Sequence, residues 1–128
     1  MITVNYLVLK AILKLCRCEF NLLRNDFSAL HERIRRRPVR RSTEPKAEDV
    51  ERICRAVEIA CVLYWKQVLC LQRSAATVSL LRDYGVPAEM VIGAQQMPFR
   101  AHAWVEVRGR IVNDKPYISE IYAVLDRC

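Results

Sequence analysis

Three side chains, well separated along the chain, are of the types a nucleophilic mechanism needs: Cys70, His102 and Asp114. A thiolate attacks a carbonyl carbon, an imidazole takes and returns the proton, and a carboxylate fixes the imidazole's tautomer and stabilises its cation. The order Cys, His, Asp is compatible with such a triad and does not by itself demand one. Each residue also has a plainer use. A histidine on a strand is commonly structural, an aspartate after a hairpin is commonly a turn residue, and a cysteine at a helix start is commonly a packing group. The elements that carry the three residues must therefore decide whether they meet.

His102 and Asp114 sit at the two ends of "FRAHAWVEVRGRIVND", residues 99–114, whose alternation reads as a β-hairpin. Ala101, Ala103, Val105 and Val107 make the apolar face, so His102, Trp104 and Glu106 point to the other. A two-residue loop of Arg108 and Gly109 would set Asp114 against Ala103, on the face away from His102. A three-residue loop, Val107 to Gly109 with Gly109 left-handed, sets Glu106 opposite Arg110 and Asp114 opposite His102. Directly opposed Cβ atoms lie about 4.5 to 5.5 Å apart, close enough for an imidazole–carboxylate hydrogen bond. The three-residue register is the expected one, because it also keeps Ile111 with the apolar set.

Cys70 opens "CLQRSAATVSLLRDYG", where Leu71, Ala75, Val78 and Leu81 recur at helical spacing and Gly85 supplies the stop. A helix N-terminus favours the thiolate, and its free N–H groups can hold a developing oxyanion. This placement requires a break near Lys66 to Leu69 that no Gly or Pro marks. The preceding helix is capped by Ser42 or Thr43, with Glu44, Pro45, Glu48 and Asp49 in its first turns and a stripe of Val50, Ile53, Val57, Cys61 and Tyr64. A first helix over 3–24 places Leu7, Ala11, Leu15, Cys18 and Leu22 on one face, which needs either the core or a second protein to cover it. Between these helices "RIRRRPVRR", residues 33–41, is expected to be a solvated linker, since Pro38 interrupts it and no aromatics interleave.

After Pro87 the period becomes two: "AEMVIGAQ" is a strand, residues 101–114 give two more, and "YISEIYAVL" reads equally as strand or short helix. The fold class is α+β, helices first and then a small antiparallel sheet. A single compact domain is expected, with the N-terminal helix and Arg-rich linker over 1–41 and the core over 42–128. With 52% hydrophobic and 27% charged residues the chain is built to fold rather than to stay disordered. Its net charge of +7 favours acidic partners; nucleic acid and integral membrane insertion are not expected, the latter because the first apolar run is too short and broken by Lys10 and Lys14. No secretion signal is evident, so a cytoplasmic location with reduced thiols is expected. Cys16 and Cys18 form a C-x-C with no second pair at zinc spacing, so no metal is expected.

Read as one unit, "CLQRSAATVSLLRDYGVPAEMVIGAQQMPFRAHAWVEVRGRIVND" resembles the transglutaminase-like leader peptidases of lasso peptide biosynthesis, the family of the C-terminal domain of the microcin-processing B protein. The shared elements are C-L-x-R-S, L-L-R-x-x-G, a V-I-G strand, P-F-x-A-H-A-W-V-E-V and a closing N-D, over roughly residues 48–114. The proline usual before the cysteine is absent in "YWKQVLC", and "RSAAT" stands for the more typical R-S-L-A. The resemblance implies a papain-like or transglutaminase-like fold and a cysteine peptidase that cuts a leader from a lasso precursor. It implies Cys70 as nucleophile, His102 as base and Asp114 as orienting acid, with no cofactor. Its partners would be the precursor's leader, a separate small leader-recognition protein and an asparagine-synthetase-like cyclase. The Cys70 N–H is the first expected oxyanion donor and Gln67 the second. Trp104 is expected either to line the cleft or to shield the pair from water, and Arg73 and Ser74 to fix the helix and loop. Two other classes stay open: an acyltransferase using the same triad, and a non-catalytic basic binding module.

Overall fold

The computed structural model describes residues 4–24, 27–39, 47–65 and 67–128. Helices come first: α1 (Val4–Arg24), α2 (Phe27–Arg36), α3 (Ala47–Leu63) and α4 (Cys70–Asp83). Strands β1 (Ala88–Gln96), β2 (Phe99–Val107) and β3 (Arg110–Ile111) follow, then α5 (Ile118–Ile121) and β4 (Ala123–Arg127). The strands form one antiparallel sheet in the order β3-β2-β1-β4. The C-terminal stretch that reads either way thus takes both forms, one turn of helix and then an edge strand.

Helix α1 buries Leu7, Ala11, Leu15 and Cys18 as the spacing requires, with Leu22 packed at the margin. These side chains share a single apolar cluster with Ile53 and Val57 of α3, Val78 and Leu81 of α4, and Met90 and Val105 of the sheet. The first helix thus packs into the same core as the helices and strands that follow it. The first four residues of the arginine run, 33–36, are helical rather than part of a solvated linker. Residues up to Arg36 belong to α2, whose Leu30 and Ile34 are buried one turn apart while Arg33, Arg35 and Arg36 fall in its last turn, favourable to its dipole. Arg82 of α4 fixes that end of α2: buried, it donates from Nη1 to the carbonyls of Ile34 and Arg37, and from Nε to Ala88 O at 2.9 Å. The expected cap at Ser42, Thr43 and Pro45 lies outside the described residues.

The break that frees Cys70 falls where the argument needs it, between Leu63 and Cys70. Leu69 is extended (φ −83°, ψ 164°), and its N–H is taken by the Gln72 Oε1 at 2.9 Å, which seals the helix start in the absence of Gly or Pro. At the other end Gly85 is left-handed (φ 83°), with N–H bonds from Gly85 to Arg82 O and from Val86 to Leu81 O.

The hairpin register differs from the expectation. Val107 pairs with Arg110 and Glu106 with Ile111, so the loop is the two residues Arg108 and Gly109, both left-handed at φ 51° and 81°. Two positive φ values make the primed turn whose twist suits a tight hairpin. Gly109 is left-handed as expected, but Arg108 joins it. Ile111 consequently lies on the Trp104 face, packed against Val91, Trp104 and Ile118, and Glu106 does not face Arg110.

Candidate active site

A ladder continued in this register would carry Asp114 past Ala103 to the face away from His102. The ladder does not continue. Strand β3 ends at Ile111; Val112 still donates to Val105 O at 3.0 Å, and then a side chain takes over. Asn113 Oδ1 accepts the Val105 N–H at 2.7 Å, where a strand carbonyl would otherwise stand. Its Nδ2 donates to Ser74 Oγ at 3.0 Å, and Ser74 Oγ donates to Ala103 O at 3.0 Å. All three links are buried, so the exit from the strand is pinned to α4. The bend at Asn113 and Asp114 then brings the Asp114 Oδ2 within 2.6 Å of His102 Nε2. The expected pair is present, and it is made by a side-chain substitute for the ladder rather than by register.

Helix α4, which begins at Cys70, meets the pair through Arg73. Arg73 Nη2 lies 3.6 Å from the same Asp114 oxygen, and Ser74 beside it is locked to β2. Cys70 stands about one turn, 5.4 Å of helix, before these two residues and is partly exposed at the first position of α4. Arg73 and Ser74 thus fix helix and loop, as expected. Gln67 is exposed, three residues ahead of Cys70. Trp104 is completely buried, so it offers no surface to a cleft; its ring stacks 6.0 Å from that of His102 on the shielding side.

Asp114 is subject to opposing effects. Burial pushes its carboxyl up, but the hydrogen bonds with His102 and from the Lys115 N–H (2.8 Å), together with the charges of His102 and Arg73, hold it below the ordinary aspartate value. It is therefore an anion wherever the protein is folded near neutrality, as an orienting carboxylate must be. With Nε2 committed to Asp114, Nδ1 is the imidazole nitrogen left for proton transfer.

Behind the pair lies an aromatic layer. Tyr122, just after α5, stacks on His102 at 5.1 Å, and the Trp104 Nε1–H donates to Glu106 Oε2 at 2.9 Å. Glu106 Oε1 in turn accepts from Arg127 at 2.8 Å, which neutralises a buried carboxylate. Gly93, opposite His102 on β1, makes room for these rings: a Cβ there would sit 2.7 Å from Trp104 and 2.9 Å from Tyr122. The sequence puts Glu106 on this face, without its Trp104 and Arg127 partners, and assigns no role to Asn113, Tyr122 or Gly93. The adjacent N-D pair and a glycine inside an apolar strand were the signals for two of them.

Among the described residues no group of three or more His, Cys, Asp or Glu side chains is arranged to hold a metal, and no helix is long and apolar enough to cross a membrane. All six cysteines are free thiols. Burial pushes Cys18 and Cys54 up to about 12, which makes them inert beside the partly exposed Cys70.

Comparison with known proteins agrees with the α+β fold class. The family model of the transglutaminase-like superfamily matches residues 13–127. Over 56 residues the chain is 38% identical to the microcin J25-processing protein McjB of Escherichia coli, a match that covers 44% of this chain and 27% of that relative. The chain thus aligns with about a quarter of the curated relative's length. No solved structure matches.

Proposed function

The chain belongs to the transglutaminase-like superfamily, and on that premise we propose that it is a cysteine peptidase that removes the leader from a lasso peptide precursor. The observation that carries the reading is the 2.6 Å His102–Asp114 pair, tied through Arg73 to the turn of α4 that follows Cys70. The similarity to a microcin-processing protein supplies the substrate class.

In this mechanism Asp114 holds the tautomer with the proton on Nε2, and His102 Nδ1 takes the Cys70 proton. The Cys70 sulfur bonds to the carbonyl carbon at the leader–core junction. The developing oxyanion is received by the Cys70 N–H, with the Gln67 amide as second donor. The C–N bond breaks as Nδ1–H protonates the leaving amine. Water, deprotonated by Nδ1, then attacks the thioester and releases the leader acid and the thiol. A separate recognition protein holds the leader, and a cyclase consumes the freed core amine.

The test is to incubate the protein with its neighbouring recognition protein and precursor and to read masses. One hydrolytic cut is expected, abolished in Cys70→Ala while precursor binding persists. Undiminished cleavage by Cys70→Ala overturns the peptidase reading. Repeating the reaction with excess hydroxylamine separates the acyltransferase alternative, because a wild-type product carrying the amine in preference to water identifies acyl transfer.

A further inference from the structure

Helix α1 carries two apolar stripes, and the core uses one. Tyr6, Leu9, Leu13, Cys16 and Phe20 are spaced 3-4-3-4 and exposed, the four large ones to 50–56%, on the side of α1 opposite Leu7, Ala11 and Leu15. A period of 3.5 residues is that of a seam for another helix. Lys10, Lys14 and Arg17 run along one flank of the stripe. There the stripe opens into a cavity of about 780 Å³ between α1, α2 and α4, which Cys16 and Phe20 line together with Lys14, Arg17, Arg33, Arg36 and Arg37.

The charge of this groove selects its occupant. Five cationic side chains line it, and among the described lining residues there is no carboxylate. Lys14 and Arg37 share the one carboxylate of Asp83, at 2.7 Å each, so those two cations exceed their partner by one charge; Glu32 meets Arg36 at 2.8 Å. Burial, and then the charges of Arg37 and Arg17, depress the Lys14 ammonium in spite of Asp83. A second copy of this chain would bring lysines and arginines against lysines and arginines. Nucleic acid would leave the apolar seam uncovered, since base stacking needs more than the one aromatic ring at the cavity.

We infer that α1 and the basic groove beside it are the docking site for an acidic amphipathic helix of a separate protein, its apolar face on the Tyr6–Phe20 seam and its carboxylates over Arg17 and Arg36. The position argues for a partner rather than the scissile segment of a substrate. Ala75 and Ser79 are the α4 residues of the groove. At 100° per residue Ser79 lies half a turn round the helix from Cys70, so the groove backs onto the nucleophile's helix from the far side. The inference does not depend on cleavage, and its test reads binding alone.

The probe is a fluorescein-labelled three-heptad helix with Leu at the seam positions and Glu on both flanks, titrated with the full chain by anisotropy at low salt. Saturable binding by the wild type is expected, weakened about 10-fold or more both by Leu9→Glu/Leu13→Glu and by Arg17→Glu/Arg36→Glu. These positions are exposed, and circular dichroism confirms that each variant folds. Arg100→Glu/Arg110→Glu on the sheet should bind within about twofold of wild type. An equal loss in that variant shows a net-charge effect and overturns the site, as does unchanged binding in both groove variants. Displacement of the probe by a 20-mer of thymidylate or by phosphatidylglycerol vesicles at equal charge makes the groove a general polyanion surface and overturns the partner assignment. So does a dimer in sedimentation that Leu9→Glu/Leu13→Glu dissolves.

Discussion

The two faces of the sheet are built on different principles. Toward the helices β1 and β2 present Ala88, Met90, Ala103 and Val105, all buried and aliphatic or thioether; Ala88, Met90 and Val105 share a cluster with Val78 and Leu81 of α4, and the Ala103 carbonyl accepts from Ser74 of that helix. On the other face the same strands present Val91, Gly93, His102, Trp104 and Glu106, where rings stack and carboxylates are hydrogen-bonded. The first face is held by contact area and tolerates substitutions of similar volume. The second is held by directional partners, so small changes there displace titratable groups. A strand with a two-residue repeat can therefore keep close packing on one side and a hydrogen-bonded polar layer on the other.

The largest expected effect belongs to the second face. His102→Ala should lower leader cleavage by about 10²- to 10⁴-fold, measured as initial rate by mass spectrometry, with a smaller loss of stability than Met90→Ala. Asp114→Asn should leave a measurable remainder, because orientation is degraded rather than deleted. Wild-type rates in both variants would make the pair structural and collapse the contrast. Met90→Ala should do the reverse: about 2 to 5 kcal/mol of stability lost to urea, with the rate per folded molecule unchanged. Gly93→Ala sits between them, since its Cβ would strike Trp104 and Tyr122. A loss of about 1 to 3 kcal/mol accompanied by a reduced rate is expected there; stability loss with full activity would show that the aromatic layer does not position His102.

Acid should separate the faces as well. Asp114 and Asp83 are both held below the ordinary aspartate value against the upward push of burial, Asp114 by His102 and Asp83 by Lys14 and Arg37. A folded value below the unfolded one of about 3.9 contributes stability that is complete above that pH and is lost as pH falls through the folded value. Melting temperature should thus hold down to about pH 5 and decline below about pH 4, less steeply in Asp114→Asn. Met90→Ala should shift the whole profile without changing its slope. The smallest effect is at the hairpin tip, where Arg108→Asn, better suited to a positive φ, should raise stability by up to about 1 kcal/mol and leave cleavage untouched.

How much of this could be read from the residues alone differs by the kind of interaction. The helical stripes and the alternation of β1 and β2 follow from local periodicity and were legible; the α4 start at Cys70 was not fixed by it, because the break is made by the Gln72 side chain on the Leu69 N–H rather than by a Gly or Pro. The hairpin register was not, because it turns on Arg108 taking a left-handed conformation that a glycine or asparagine would have announced. The rescue of Asp114 by Asn113 was hidden for a different reason: its partner Ser74 is 39 residues away, and no pattern in residues 99–114 reveals it. Helix α2 carries only Phe27, Leu30 and Ile34 as large apolar residues, one short stripe running into the arginines, and its end is held by Arg82, whose type suggests a surface. Tyr122 lies where helix and strand readings were balanced, which left its face undetermined.

The Asn113–Ser74 link also separates two lengths that would otherwise be coupled. In a plain hairpin, every residue gained or lost at the tip would be transmitted down the return strand and would rotate Asp114 out of line. Here the reference point for Asp114 is a hydroxyl on α4, and the two paired residues of β3 are the whole of the strand that the tip controls. Loop length can then drift through evolution, or be extended with an inserted tag, while the carboxylate keeps its aim. The chain has made its hairpin tip a place for variation by fastening the site to a helix instead.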